Sequence, residues 1–404
     1  MKIGFVSTWF ERGAAYVTKQ YLNLLKENHE VFVYARGGEK YAIGDEEWDK
    51  SYVTWGTHLG TVDEISWTDF KKWIRKNKIE VIFFNEQRDI TVILNIKRSF
   101  PKIKIGSYID YYKQDTIDDF KLYDFLICNT KRHYQTFKWH KQAYYIPWGT
   151  DINLYDYKEK SNKVVTFFHS AGMSIRKGTS ALIDTFYNSD LKSNSKLIIH
   201  TQLPINKFTN IDNEDLKKNN IEIIEKTVQA PGLYYLGDVY VYPTELDGLG
   251  LTIYEAMSSG LPVVATNVAP INEVINNSNG KLIEVEKQFC RADAYYWPMS
   301  IINKESLYDC LRYYVDNFEK IDQLKNKCRN IAKEKYNWRD RVDEVNRIFV
   351  STKKIDYFSK EDLKKYRKKI LMKNNYNLVV SFNKILKLNC ISKLVLCCKE
   401  RFKV

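Results

Sequence analysis

Two series of short apolar segments, each segment separated from the next by a helix-length stretch, constrain this chain more than any other feature. Lys2-Ile3-Gly4-Phe5-Val6-Ser7 reads as a buried strand. It leads through a loop containing Gly13 into an apolar-periodic helix carrying Tyr16, Tyr21, Leu22 and Leu25. Further strands are expected at 29–34, 79–84, 103–107, 125–129 and 144–146. Strands without polar alternation, interleaved with helices, are the pattern of a parallel sheet covered on both faces. After Pro147-Trp148-Gly149-Thr150-Asp151 a polar stretch at 155–163 has no apolar periodicity and reads as a linker. A second series then begins, with strands expected at 164–169, 196–200, 221–224, 239–242 and 262–265. The expectation is an α/β protein with two doubly wound domains in tandem, residues 1–155 and 156–350, followed by an extension at 351–404. Helical periodicity runs over 304–350, and the stretch from 336 to 349 is expected to pack back on the first domain. Such sheets bind ligands at the carboxyl ends of their strands, so two facing domains place one cleft between them.

Composition narrows the function classes. With 404 residues, 44% hydrophobic and 28% charged, the chain has an ordinary globular balance, which excludes a disordered scaffold. The seven cysteines are odd in number and scattered, with no C-x-x-C pair, which argues against a disulfide framework and for a reducing compartment. The start, MKIGFVSTWFERG, lacks the basic region, long apolar stretch and cleavage site of an export signal. No uncharged apolar run reaches the roughly 18 residues that cross a bilayer. A cytoplasmic protein, soluble or peripherally attached, is expected. The net charge of +13 is unevenly placed: residues 351–404 hold 15 Lys+Arg against 4 Asp+Glu, leaving +2 for the body. Any attraction to a polyanion belongs to the extension rather than to the folded domains.

The stretch richest in chemistry is the strand 239–242, the loop Pro243-Thr244-Glu245-Leu246-Asp247-Gly248-Leu249-Gly250, and a helix from Leu251 stopped by Gly260 and Pro262. Two glycines allow a ligand to approach the backbone, and the helix start presents free amides and a positive dipole end suited to phosphate. Glycine after a strand is also ordinary turn chemistry. Asp247 and Glu255 bracket the segment, and carboxylates suit hydroxyl-rich ligands because each accepts hydrogen bonds from two neighbouring hydroxyls. A turn former and a solvated helix charge are the plainer reading of that pair. Upstream, Ser170-Ala171-Gly172-Met173-Ser174-Ile175-Arg176-Lys177-Gly178-Thr179 follows a strand and offers a guanidinium and an ammonium beside glycines. Such a pair stabilises negative charge as it develops on a leaving group, or is simply a solvated loop.

Taken together, the run from Asp247 to Thr266 closely resembles the signature of the group 1, or glycogen-synthase-like, glycosyltransferases of the GT-B fold. That family carries glutamate at both ends of an eight-position spacing, and this chain has Asp247 at the first. The resemblance implies that Glu255 binds the ribose hydroxyls of a nucleotide and that Asp247 meets the transferred sugar. The segment Gly172 to Gly178 is similar to the family's basic loop, with Met173 in place of its usual arginine, which implies that Lys177 and Arg176 neutralise a diphosphate. Gly248, Leu249, Gly250 and Leu251 line the donor by the same likeness, and Gly13 and Gly172 bring backbone near it; His169 and His133, near expected strand ends, are secondary candidates, with a surface or capping histidine the plainer reading. Many members carry a histidine near the end of the strand matched by 103–107; Asp110 stands in that region here. The activity implied is transfer of a sugar from a nucleotide diphosphate sugar, with retention at the anomeric carbon, to a cell-surface glycan or lipid-linked acceptor. No cofactor and no metal are expected, there being no D-x-D triplet and no His/Cys cluster. A GT-B nucleotide-sugar epimerase and a non-catalytic nucleotide-sugar binder or membrane scaffold are the alternatives.

In the extension, Ser359 and Asp362 suggest a helix start, and Leu363, Tyr366 and Ile370 fall on one side among Lys364, Lys365, Arg367, Lys368 and Lys369. A basic amphipathic helix at an anionic membrane surface is expected, each base adding about 1 kcal/mol near such a surface. A solvated extension is the alternative, and nucleic acid is not an expected partner. The stretch 378–398 is apolar-rich but interrupted by Lys384, Lys387 and Lys393, with untidy periodicity.

Overall fold

The computed structural model describes residues 1–36, 41–57, 64–158, 162–355, 359–368 and 371–372. Ile370, the stretch 378–398 and the middle of the expected linker lie outside the described residues.

Two parallel sheets form the body. The first contains β1 (Lys2–Ser7), β2 (Glu30–Ala35), β3 (Val53–Trp55), β4 (Val81–Phe84), β5 (Lys104–Tyr108), β6 (Phe125–Cys128) and β7 (Ala143–Tyr145), in the order β3-β2-β1-β4-β5-β6-β7. The second contains β8 (Val165–Gly172), β9 (Ser195–Thr201), β10 (Ile221–Glu225), β11 (Val239–Tyr242), β12 (Val263–Thr266) and β13 (Gly280–Ile283), in the order β10-β9-β8-β11-β12-β13. Both are doubly wound, as the strand–helix rhythm predicts. Their central strands β4, β6 and β11 are buried at every position because helices cover both faces, and aromatic and β-branched residues fill such strands.

The strand order reverses between β1 and β4 and again between β8 and β11. Crevices therefore open at the carboxyl ends of those four strands, where side chains of two loops diverge. The loops that follow them are the ones carrying Gly13, Glu86, Lys177 and Asp247.

Several strands escaped the periodicity argument for physical reasons. β3 has only three residues, all half-buried. β13 opens on Gly280, where a Cβ would lie 2.0 Å from the Val263 carbonyl oxygen, so close pairing demands a residue that breaks the apolar run. An antiparallel hairpin, β14 (Val285–Phe289) and β15 (Met299–Ile302), pairs through a mostly exposed β14.

After the helices Lys304–Asp316 and Ile321–Lys335 the chain crosses back to the first sheet, as expected. Trp338 packs 4.3 Å from Trp148 and 5.3 Å from Tyr21, centroid to centroid. The helix Val342–Ser351 sets Phe349 5.2 Å from both Phe83 and Phe125. A buried tryptophan in such a cluster costs about 3–5 kcal/mol when truncated to alanine, so this return anchors the closing segment firmly on the first domain. Beyond it, Ser359 and Asp362 exchange hydrogen bonds, the Ser359 amide donating to the carboxylate and the Asp362 amide to the hydroxyl, each at 3.1 Å. This reciprocal cap starts a helix at 360–368, with Leu363 and Tyr366 against the first domain and the Tyr366 hydroxyl donating to Asp119.

Candidate functional site

The cleft between the sheets contains two adjoining cavities of about 320 and 330 Å³. The first runs from the Glu11-Arg12-Gly13 loop and Tyr16 to Gly172, Leu251 and Glu255, with Phe168 and Leu233 as apolar walls. Gly172 adopts φ +55° with no atom within 4 Å of a would-be Cβ, so bare backbone faces open space. Gly13 and Leu251 face each other from opposite domains, 3.6 Å separating a Cβ position at Gly13 from Leu251 Cδ1.

The helix Leu251–Ser258 carries Glu255 into that cavity. The Tyr234 hydroxyl donates to Glu255 Oε2 at 2.6 Å, and Tyr155 bonds the same carboxyl. Burial raises the carboxyl above its ordinary range, while the two hydroxyls and the charge of Lys177 pull it down. Glu255 is an acceptor whose orientation is set by two phenols.

Lys177, Tyr242 and Asp247 form a three-membered cluster at the ends of β8 and β11. The Lys177 ammonium donates to the Asp247 carboxylate and to the Tyr242 hydroxyl, which itself donates to Asp247. Asp247 Oδ1 accepts the amides of Leu249 at 3.0 Å and Gly250 at 2.7 Å. Burial works against ionisation of Asp247, but Lys177, Tyr242 and the Gly250 amide outweigh it and hold the carboxyl well below the usual range. The two loops are laced together by backbone: the Glu245 amide donates to the Arg176 carbonyl at 2.9 Å, and a Cβ at Gly178 would lie 1.9 Å from the Pro243 carbonyl oxygen. Gly178 also has φ +72°, so only glycine fits on both counts. Arg176 itself lines the second cavity.

The second cavity is polar, and two carboxyls meet in it. Asp110 follows β5, and a Cβ at Gly248 would lie 1.9 Å from its Oδ1, so the first domain's loop rests on the glycine loop of the second. Glu86 follows β4 and hydrogen-bonds Asp110. Burial, then the charges of Glu86 and Asp247, push the Asp110 carboxyl up to about 8, with Arg132 opposing. Glu86 has φ +51°, a conformation that costs a non-glycine residue of order 1–3 kcal/mol and persists only where its surroundings impose it. Arg36 supplies that imposition: its Nη1 donates to the carbonyls of Asn85 and Glu86 at 3.2 and 3.1 Å and to Gln87 Oε1 at 2.9 Å.

His133 bridges the domains. Its Nε2 lies 3.1 Å from the Gly248 carbonyl oxygen and 3.8 Å from Asp110, while Nδ1 lies 2.9 Å from the Tyr112 hydroxyl. A carbonyl only accepts, so Nε2 carries the hydrogen and Nδ1 accepts from the tyrosine. Burial and then Arg132 hold its pKa well below the ordinary value, keeping it neutral. His169 is not brought to the cleft: it is fully buried between the Val241 carbonyl and the Thr179 hydroxyl, each 2.8 Å away, and burial drops its pKa to about 4.

Other residues on the cleft gave no sequence signal of their own. Tyr155, Tyr234 and Tyr242 look like core aromatics in the sequence. Glu86 stands two residues past an expected strand, and the rule that sites lie at strand ends was the available pointer. Arg132 donates through Nη2 to the Asp247 carbonyl at 2.7 Å and also reaches the Ala269 carbonyl, while Glu273 accepts the amides of Lys131 and Arg132 at 2.6 and 2.8 Å. The loop of the β14–β15 hairpin crosses the cleft: Tyr295 stacks on Tyr111 at 5.2 Å, and Trp297 Nε1 donates to the Tyr112 hydroxyl at 2.7 Å.

Residues 163–294 match the family model of the group 1 glycosyl transferases. Short stretches are similar to two curated proteins: the sulfoquinovosyl transferase SQD2 of Arabidopsis thaliana, 55% identical over 42 residues, and the O-antigen chain mannosyltransferase B of Escherichia coli, 46% identical over 48 residues. These matches cover 10% and 12% of this chain and span only 8% and 13% of the relatives' length. In three dimensions the chain is similar to Anabaena HepE, solved in complex with UDP-glucose, at a TM-score of 0.66 and 16% identity over 87% of this chain and all of the other. The chain therefore has the GT-B fold, and residues 163–294 of its second half are similar to the group 1 glycosyl transferases.

Proposed function

We propose that this chain transfers a sugar from a nucleotide diphosphate sugar to a glycan or lipid-linked acceptor, with retention at the anomeric carbon, while attached to the cytoplasmic face of a membrane through its basic extension. One observation carries the donor assignment: Glu255 lines one cavity and Arg176, Gly248 and Asp110 line the adjoining one, while the Lys177–Asp247 pair joins the two loops that carry Arg176 and Gly248 at the switch point of the second sheet. In this reading the Glu255 carboxylate, aimed by Tyr234 and Tyr155, accepts the ribose hydroxyls, and the open backbone at Gly172 admits the nucleotide. The diphosphate lies against Lys177 and Arg176. Asp247 orients the Lys177 ammonium and accepts a hydroxyl of the transferred sugar, and Asp110 faces the same sugar from the other domain.

The bond from the anomeric carbon to the diphosphate oxygen breaks with its electron pair leaving on the nucleotide. The acceptor oxygen forms the new bond and its proton passes to the departing diphosphate oxygen. Fixed positive charge beside the departing oxygen is worth most in a water-excluded cleft, because it strengthens as the bond breaks and costs no reorganisation. Retention and the acceptor class rest on the family resemblance. HepE bound to UDP-glucose is consistent with a nucleotide-sugar donor and with nothing finer.

The test is thermal stabilisation of the purified chain by UDP, GDP, ADP and CMP sugars, with sugar release followed in the same samples. One nucleotide series is expected to stabilise the fold and to be hydrolysed slowly. Glu255→Ala should lose that stabilisation, and Lys177→Ala should cut turnover about 10²–10³-fold. The Lys177 variant still folds, because Asp247 retains Tyr242 and two backbone amides as donors. Stabilisation without turnover would favour a non-catalytic binder, and wild-type rates in both variants would sink the assignment.

A further inference from the structure

We infer that the groove between the helix Thr91–Ser99 and the C-terminal helix at 360–368 is a binding site for a phosphate-bearing lipid headgroup. The inference rests on the membrane attachment proposed above and gives it a defined location. The groove encloses about 580 Å³ and shares no lining residue with either cleft cavity.

Six basic side chains line it: Lys97, Arg98, Lys354, Lys360, Lys364 and Arg367, with no acidic lining residue among the described residues. Convergence of like charges around one space is unfavourable unless something negative enters it. A single carboxylate behind the wall, Asp124, meets Lys97 at 3.2 Å and Lys354 at 3.6 Å, so it serves two of the six. Arg367 Nε is buried and has no hydrogen-bond partner among the described residues. A buried guanidinium donor left unmatched is costly, and an anionic oxygen in the groove matches it.

The helix is placed to make this arrangement. The Ser359–Asp362 cap fixes its start, and Tyr366 anchors it through Asp119. Lys360, Lys364 and Arg367 then fall at spacings of four and three, on one face. Lys365 and Lys368 are exposed and outside the groove. The remaining walls include Leu94, Pro101, Ile355 and Leu363. A free phosphate would leave those apolar walls uncovered. A lipid headgroup places its phosphate on the arginine forks and its glycerol and first methylenes on the apolar walls.

The test is co-sedimentation of the full chain with vesicles of phosphatidylcholine, alone or with about 30 mol% phosphatidylglycerol, or made equally anionic with oleate, whose carboxylate carries no phosphate. Two double variants remove the same charge: Lys364→Gln with Arg367→Gln inside the groove, and Lys365→Gln with Lys368→Gln outside it. The groove pair is expected to weaken binding to phosphatidylglycerol vesicles at least about tenfold more than the outer pair, and the wild type to prefer phosphatidylglycerol over oleate. Unchanged melting temperatures confirm that both variants fold. Equal losses in the two pairs overturn the site and leave a diffuse basic surface. No binding of the wild type to any anionic vesicle, together with no stabilisation by soluble glycerol phosphate, overturns membrane attachment and the groove together. If soluble glycerol phosphate stabilises the wild type but not the groove pair, and vesicles do not bind, the phosphate chemistry stands and the lipid source falls.

Discussion

The two walls of the cleft are built in opposite ways. On the second-domain wall the cluster Lys177–Tyr242–Asp247 is closed by bonds within that domain, and Glu255 is fixed by Tyr234 and the nearby Tyr155. On the first-domain wall the groups reach across: His133 bonds the Gly248 carbonyl, Arg132 bonds the Asp247 carbonyl, and the Tyr295 hydroxyl donates to the Asp110 carbonyl at 3.2 Å. Glu86 holds a strained backbone through the Arg36 clamp. The second-domain wall is thus largely self-contained, borrowing only Tyr155 from the end of the first domain, whereas the opposite wall is in register only when the domains are closed. Nucleotide affinity should follow the first, and closure-dependent steps the second.

The sharpest way to break that contrast is Gly248→Ala. Its methyl would occupy the space of Asp110 Oδ1, 1.9 Å away, displacing the Asp110 carboxyl where the walls meet without touching Lys177 or Glu255. Turnover is expected to fall about 100-fold, the cost of an ångström-scale misplacement, with nucleotide affinity nearly unchanged. Adding Asp110→Gly should restore at least tenfold, a non-additivity that independent sites do not show. Full activity in Gly248→Ala alone would mean that the closed contact is not used in turnover.

A smaller effect separates the walls by pH. Asp110 titrates near 8, so below that value it keeps a proton beside Glu86 and Asp247, and above it an added negative charge faces both. Turnover should decline about tenfold as pH rises through 8, and Asp110→Asn should remove that limb. The fold should also lose stability progressively as pH rises from near 4 toward 8, where the folded state holds a proton that the unfolded chain has released, and the loss should level off above 8. Glu86→Gln removes a like charge and should move the limb to lower pH. A limb that stays at 8 in both variants would belong to another group. Asp247, held far below the ordinary carboxylate range, gives no limb in this window.

How far the sequence revealed these walls follows from their construction. Lys177, Asp247 and Glu255 lie in contiguous stretches whose glycines are forced by close backbone approach, as at Gly178 against Pro243 and Gly250 at φ +76°. Such local constraints leave local patterns. Glu86, Arg132 and Glu273 gain their positions from bonds across 50 to 142 positions, and no spacing rule registers them. The same division holds in the fold. β4, β6 and β11 are apolar at every position and were readable, while β13 begins on a glycine imposed by Val263 and β14 pairs with little burial.

The smallest expected effect tests that division from the other side. His169 stands at the end of an expected strand, beside the basic loop, and its position suggested donor contact. Its two nitrogens are instead taken by Val241 and Thr179 within the core, and it lines neither cavity. His169→Gln should therefore leave donor affinity within about twofold while removing up to two buried hydrogen bonds, at about 1 kcal/mol each. With roughly 2–4 °C per kcal/mol for domains of this size, the melting temperature should drop by several degrees. Glu255→Ala should show the reverse, lost affinity with little change in melting. A tenfold loss of donor affinity in His169→Gln would show that the core behind β8 transmits to the site, and that the second-domain wall is less self-contained than its bonds imply.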